Sequence, residues 1–148
     1  MKELYSYLDK DNKLIWNFRD IGHTMRRISE GKGSQKRILI ILLETRGMTQ
    51  KELTNRLGVQ PGSASEVISK LESTGLILRT PSNTDHRTTD ICLTEKGEVI
   101  ARDAYIHRKE RHHQMFATLS EQEKDTLIQL LEKVNKDWDQ KYRIQEGE

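Results

Sequence analysis

Apolar residues recur along much of this chain at intervals of three and four, and short breaks of glycine, proline and serine separate the periodic runs. Leu14, Ile15, Phe18, Ile21, Met25 and Ile28 fall on one stripe, which predicts an amphipathic helix over about Asn12 to Ser29. Gly31-Lys32-Gly33 ends it, and Ser34 is placed to cap the next helix, which holds Ile38-Leu39-Ile40-Ile41-Leu42-Leu43. A helix apolar nearly all round belongs at the centre of a fold. The same six residues would suit a buried strand, but the flanking Gln35-Lys36-Arg37 and Glu44 favour a helix.

From Gly47 to Gly97 the pattern changes character. Thr49-Gln50-Lys51-Glu52 has capping-box spacing, the threonine accepting from the backbone at Glu52 while the glutamate reaches back. Leu53 and Leu57 then face inward, and Gly58 is the turn residue. Pro61 suits the first position of the next helix, with Ser63-Ala64-Ser65-Glu66 as a second possible cap and Ala64, Val67, Ile68 and Leu71 as its buried stripe. Gly75 closes it. Leu76 to Arg79 reads as a short strand, Pro81 to Asp85 as a turn, and Thr88 to Leu93 as the returning strand, with Ile91 and Leu93 on one face and Asp90 and Cys92 on the other. Thr94-Glu95-Lys96-Gly97 starts a long helix to about Ala117. Ser120-Glu121-Gln122-Glu123 is a further capping box and opens the last helix, striped by Leu127, Leu130, Leu131, Val134 and Trp138.

Two short helices, a tight turn and a hairpin make a winged helix-turn-helix, so the predicted fold is mainly α with a small β wing. The amphipathic helices on either side lie outside this unit, and their apolar stripes need a partner. The predicted organisation is residues 1–33 as an N-terminal helical part and 98–148 as C-terminal helices, together the expected helical dimerisation region, with 34–97 as the DNA-binding region. A helix presented this way fits the major groove of double-stranded DNA, and an arginine at a hairpin tip can reach the adjacent minor groove.

Composition narrows the options. Charged residues make up 32% of the 148 and hydrophobic ones 34%, which with the periodicity points to long helices with solvated faces. The net charge of +2 argues against a polycation that coats nucleic acid without selectivity. A specific reader needs charge only on its docking face. Residues 34–97 carry nine Lys/Arg and seven Asp/Glu, and residues 98–148 carry nine and eleven. The single cysteine, Cys92, excludes an intramolecular disulfide. The first residues lack the apolar run of a signal peptide, and no stretch approaches a membrane span, so cytoplasmic residence is the expectation.

The candidate DNA-binding residues are Thr49 and Gln50 on the first short helix, Gln60, Gly62, Ser63, Ser65, Glu66, Ser69 and Lys70 on the second, Arg79 at the base of the wing, and Asp85, His86 and Arg87 at its tip. Serine hydroxyls can meet base edges or phosphates, and Lys70 can reach guanine or a phosphate. Glu66 could accept from a cytosine amino group but would repel phosphate. Asp85 can aim the Arg87 guanidinium through a charge-assisted bond. A solvated face of an ordinary helix would carry similar residues; the capped helix before it and the hairpin after it favour the DNA reading.

These residues carry a resemblance. The helix Thr49 to Leu57, Gly58, Ser65, Leu71-Glu72, Gly75-Leu76-Ile77, Arg79, Asp85, Arg87 and Leu93-Thr94-Glu95-Lys96-Gly97 resemble the MarR family of transcriptional regulators. The resemblance implies a homodimer joined through N- and C-terminal helices, two winged domains on a palindromic operator, repression more often than activation, and release by a small aromatic or anionic effector. Glu66 stands where many relatives carry a basic residue, and His86-Arg87 where many carry two arginines, so the target sequence is not inherited.

Other chemistry is poorly supported. Cys92 has no partner in the chain for a redox disulfide. His107, His112 and His113, with His23 on the first helix, lack a zinc spacing, since His107 and His112 are five apart where one helical face needs three or four. No metal site or cofactor is assigned. Trp16, Phe18, Met25 and Met115 could line an effector pocket but suit packing equally well. An enzyme would need a clustered nucleophile, base or metal, and none is evident. A winged helix used for protein contact is the remaining rival.

Overall fold

The computed structural model describes residues 2–28, 34–82 and 87–143. It divides into two compact units, Met1–Ala104 and Tyr105–Glu148. The first unit opens with two helices, α1 (Lys2–Ser6) and α2 (Lys10–Ile28). Then come α3 (Gln35–Thr45), β1 (Met48–Thr49), α4 (Gln50–Leu57), α5 (Pro61–Ser73), β2 (Ile77–Pro81) and β3 (Thr89–Leu93). Helix α6 (Glu95–Met115) follows, and α7 (Glu121–Trp138) leads into one wide helical turn over Asp139–Arg143.

The apolar run is a helix, and it sits at the centre of the first unit. Ser34 accepts from Arg37 N at 3.1 Å to cap α3, and Ile38 to Leu42 are all buried. Leu53 and Leu57 of α4, Ala64, Ile68 and Leu71 of α5, Ile77 of β2, Ile91 of β3 and Ala101 of α6 close around it. Ten large side chains in this core are less than 2% exposed. Fully burying each stabilises the unit by about 1.5–3 kcal/mol relative to exposure, so this core anchors the helices that carry the site.

The caps fall largely where local chemistry puts them. Thr49 and Glu52 form both bonds of the capping box, at 3.1 and 3.0 Å, and Ser120 and Glu123 do the same for α7 at 3.1 and 2.8 Å. Gly58 ends α4 at φ +64°, a left-handed conformation that costs glycine little. One expected cap is corrected. Helix α5 starts at Pro61 behind Gln60, which makes no side-chain capping bond, and Ser63 lies inside the helix. Pro61 still suits the first helical position, where its missing N–H is no loss and its fixed φ fits the helix.

Among the described residues the strands form one antiparallel sheet in the order β1-β3-β2. Arg79 pairs with Ile91 across the wing, and Met48 pairs with Ile91 on the other edge. The wing is thus a three-stranded sheet, larger than the expected hairpin. Ser82 N donates to Thr88 O at 3.0 Å where the hairpin narrows.

The apolar stripes at the chain ends are uncovered. Helix α2 buries none of its residues; Leu14, Ile21 and Met25 are half exposed or more. In the second unit α7 also buries none, leaving Leu127, Leu130 and Trp138 exposed. No helix among the described residues is long and apolar enough to cross a membrane.

Candidate nucleic-acid interface

Helix α5 turns Ala64, Ile68 and Leu71 into the core, which obliges the opposite face to look outward. That face carries Gln60, Gly62, Ser63, Glu66, Ser69 and Lys70, all exposed, with Ser65 half-buried at the seam with α4. Thr49 and Gln50, half-buried at the start of α4, lie beside them. Gln50 Nε2 donates to Ser65 Oγ at 3.0 Å, a bond that ties the two helices together.

Arg79, the candidate at the base of the wing, is held by partners within the protein. Its Nε and Nη2 donate to the two carboxylate oxygens of Glu72, each at 3.0 Å. Nη1 donates to Gln50 Oε1 at 3.5 Å and Nη2 to Ser69 Oγ at 3.4 Å. The pair of bonds from Arg79 holds the Glu72 carboxyl below its ordinary value of 4.5, and Glu72 in turn raises the Arg79 guanidinium. Both groups are only partly covered. Their worth lies in geometry, since a planar fork on a carboxylate holds one orientation.

Glu72 and this network were missed from sequence. The Glu72 and Arg79 positions carry a family resemblance, yet nothing local says that a strand arginine reaches back seven residues to a helix, or twenty-nine to Gln50.

Asp85 and His86 lie outside the described residues, as does the proposed aiming of Arg87 by Asp85. Arg87 itself is exposed. Cys92 is half-buried on β3. Among the described residues no group of three or more His, Cys, Asp or Glu could hold a metal ion. A groove of about 620 Å³ runs along α1 and α2, lined by Tyr5, Leu8, Ile15, Trp16, Arg19 and their neighbours. Tyr5 and Trp16 meet edge to face there, centroids 6.1 Å apart. Trp16 alone of the four pocket candidates lines it.

A MarR family model matches residues 33–89. The chain is 33% identical over 91 residues to the transcriptional repressor MprA of Escherichia coli K12, covering 62% of this chain and 52% of MprA, so it spans about half the length of that relative. An HTH-type transcriptional regulator of Bacillus cereus is 31% identical over 110 residues, 74% of this chain and 73% of that protein. A mutant MarR from Escherichia coli, crystallised in complex with operator DNA, shares the fold with a TM-score of 0.66 at 24% identity, over 86% of this chain and 99% of that one.

Proposed function

The chain belongs to the MarR family, and on that premise we propose that it is a transcriptional regulator reading duplex DNA as a homodimer, more often repressing than activating. Helix α5 enters the major groove through Gln60, Gly62, Ser63, Ser65, Glu66, Ser69 and Lys70; Thr49 and Gln50 support it from α4. The wing carries Arg87, with Asp85 and His86, to the minor groove. The observation that carries this reading is the outward face of α5: small, polar, exposed, and braced from behind by α4 and β2.

The uncovered stripes of α2 and α7 support pairing through the end helices, because a face of this size seeks a partner. A two-fold dimer places paired reading helices about 34 Å apart and so calls for a palindrome with half-sites one helical turn apart. The Tyr5–Trp16 groove supports a small aromatic or anionic effector: its rings suit the first, and Arg19 suits the second although Asp20 beside it does not.

The test is selection of the full chain on a pool of random duplexes. The expected result is enrichment of a palindrome with that spacing, bound with a steep inverse dependence on salt. Enrichment of no sequence, with a flat salt response, overturns the reading and favours a winged helix that contacts protein.

A further inference from the structure

The direction of every hydrogen bond behind the reading face is forced by chemistry. A guanidinium donates and never accepts. Arg79 is held by both Glu72 oxygens and therefore meets Gln50 at its carbonyl, Oε1. With that oxygen turned to Arg79, the Gln50 amide must present its NH₂ elsewhere, and Nε2 donates to Ser65 Oγ at 3.0 Å. Arg79 Nη2 donates to Ser69 Oγ at 3.4 Å. Both serine oxygens accept from the protein side, and both hydroxyl protons are left over.

That outcome is unusual for hydroxyls on a helix, which commonly donate back to a carbonyl one turn earlier. Ser73 and Thr74, at the other end of the same helix, do so, donating to Lys70 O at 2.9 and 3.0 Å. Among the described residues Ser65 and Ser69 donate to no protein group. They stand four residues apart on one side of α5, a rise of roughly 6 Å, close to two base-pair steps of about 3.4 Å.

We infer that Glu72, Arg79 and Gln50 form a relay that sets the polarity of the reading face, holding Ser65 and Ser69 as hydrogen-bond donors toward guanine in the major groove. The inference rests on the DNA reading above. Guanine presents two adjacent acceptors there, N7 and O6, whereas thymine has the single acceptor O4 beside a methyl group, adenine pairs its N7 with an amino group and cytosine offers only an amino group. Each serine oxygen keeps one lone pair, but its proton is free of the protein, so two outward donors are matched best by the base that presents two adjacent acceptors and no amino group. Arg79 and Gln50 are on this account positioning residues, which act through the serines.

The experiment takes the duplex enriched by the wild-type chain and replaces each half-site guanine in turn by 7-deazaguanine, which lacks N7, or by 6-thioguanine, which keeps its pairing with cytosine but has a weakly accepting sulfur in place of O6. For the wild type, affinity falls roughly tenfold at two guanines, the worth of one well-made hydrogen bond each. Ser65→Ala becomes indifferent to the modification at one of them and Ser69→Ala at the other. Gln50→Glu is the decisive variant. Its two carboxylate oxygens both accept, so Arg79 keeps its partner while the Ser65 proton turns inward. Sensitivity is then lost at the Ser65 guanine and kept at the Ser69 guanine. The added charge lowers affinity for all duplexes alike and cannot mimic that pattern, nor can a loss of folding, which thermal melts of each variant monitor. Retained sensitivity at the same guanine in Ser65→Ala or Gln50→Glu overturns the relay. A wild-type chain that enriches no duplex overturns the DNA reading itself, and the relay with it.

Discussion

Replacing Gly97 by alanine sets two ordinary effects against each other, and the structure decides the sign. Gly97 is buried in the first turn of α6. On helix propensity alone, alanine there is worth up to about 1 kcal/mol in favour of folding. The Cβ it adds, however, falls inside the Leu76 carbonyl oxygen, 2.8 Å from the Leu76 carbonyl carbon and 3.2 Å from its Cα. These are backbone atoms, and the approach is pinned. Leu76 O accepts from Thr94 N at 3.1 Å, Thr94 Oγ1 donates to Gly75 O at 2.6 Å, and Gly97 N donates to Thr94 Oγ1 at 3.0 Å. Relief requires α6 to move off the β2 entrance and break at least one of these bonds. Overpacking of this kind costs about 1–3 kcal/mol, and a lost bond adds about 1 kcal/mol. After the propensity gain the net loss is roughly 1–3 kcal/mol. At about 2–4 °C per kcal/mol for a chain near this size, Gly97→Ala melts roughly 6 °C below the wild type. Circular dichroism at equal protein concentration reads it, because association would otherwise shift the midpoint. A melting temperature equal to or above the wild type refutes the close approach of α6 to Leu76.

Three further outcomes are expected. Arg87→Ala, folded and at fixed protein concentration, lowers the slope of log affinity against log salt by about 0.9 per wing, roughly 1.8 for a dimer; an unchanged slope removes the wing from the interface. Glu72 has its carboxyl lowered by the Arg79 bonds, so its contribution to stability is present above the ordinary value of 4.5 and is lost as pH falls through the lower, folded value. Urea midpoints followed from neutral pH into that acid window should therefore fall less steeply for Glu72→Gln than for wild type, and superimposable acid limbs contradict the pairing. Ile21→Glu puts a charge on the exposed stripe of α2, and sedimentation should find a species of 17.3 kDa in place of one twice that mass; an undisturbed dimer shows that the stripe is not the interface.

What could be read in the sequence was what is local. The Thr49 and Ser120 caps depend on residues three apart, so spacing alone revealed them. The α3 run was recognisable because six apolar residues in a row leave no polar face. The elements not foreseen lack such a signature. Helix α1 has five residues and no stripe, and β1 is two residues long, ordered by pairing with Ile91 and Asp90 more than forty positions later. Arg79 shows the limit most clearly. Its type and place made it a DNA-binding candidate, and the structure adds that its charge is held by Glu72 from the adjoining helix. Sequence shows that a cation is present; only the packing of β2 beside α5 shows where its donors go.

The uncovered end helices bear on how the reading face is delivered. Burying the half-exposed Leu14, Ile15, Phe18, Ile21, Met25 and Ile28 of α2 gains about 1 kcal/mol for each, taking half of the value for full burial. For two protomers that is roughly 12 kcal/mol, against an association cost of about 4–15 kcal/mol. The α2 stripe alone therefore leaves a dimer near balance. Leu127, Ile128, Leu130 and Trp138 of α7, exposed as well, supply the remaining apolar area if they are covered in the same event. On the homodimer proposed above, both ends of the chain are then needed for one stable interface, and a change confined to either stripe suffices to uncouple the two reading heads. Each head would keep its core, its caps and its Glu72–Arg79 brace, and would lose only the two-fold spacing that lets a palindrome be distinguished from a single half-site.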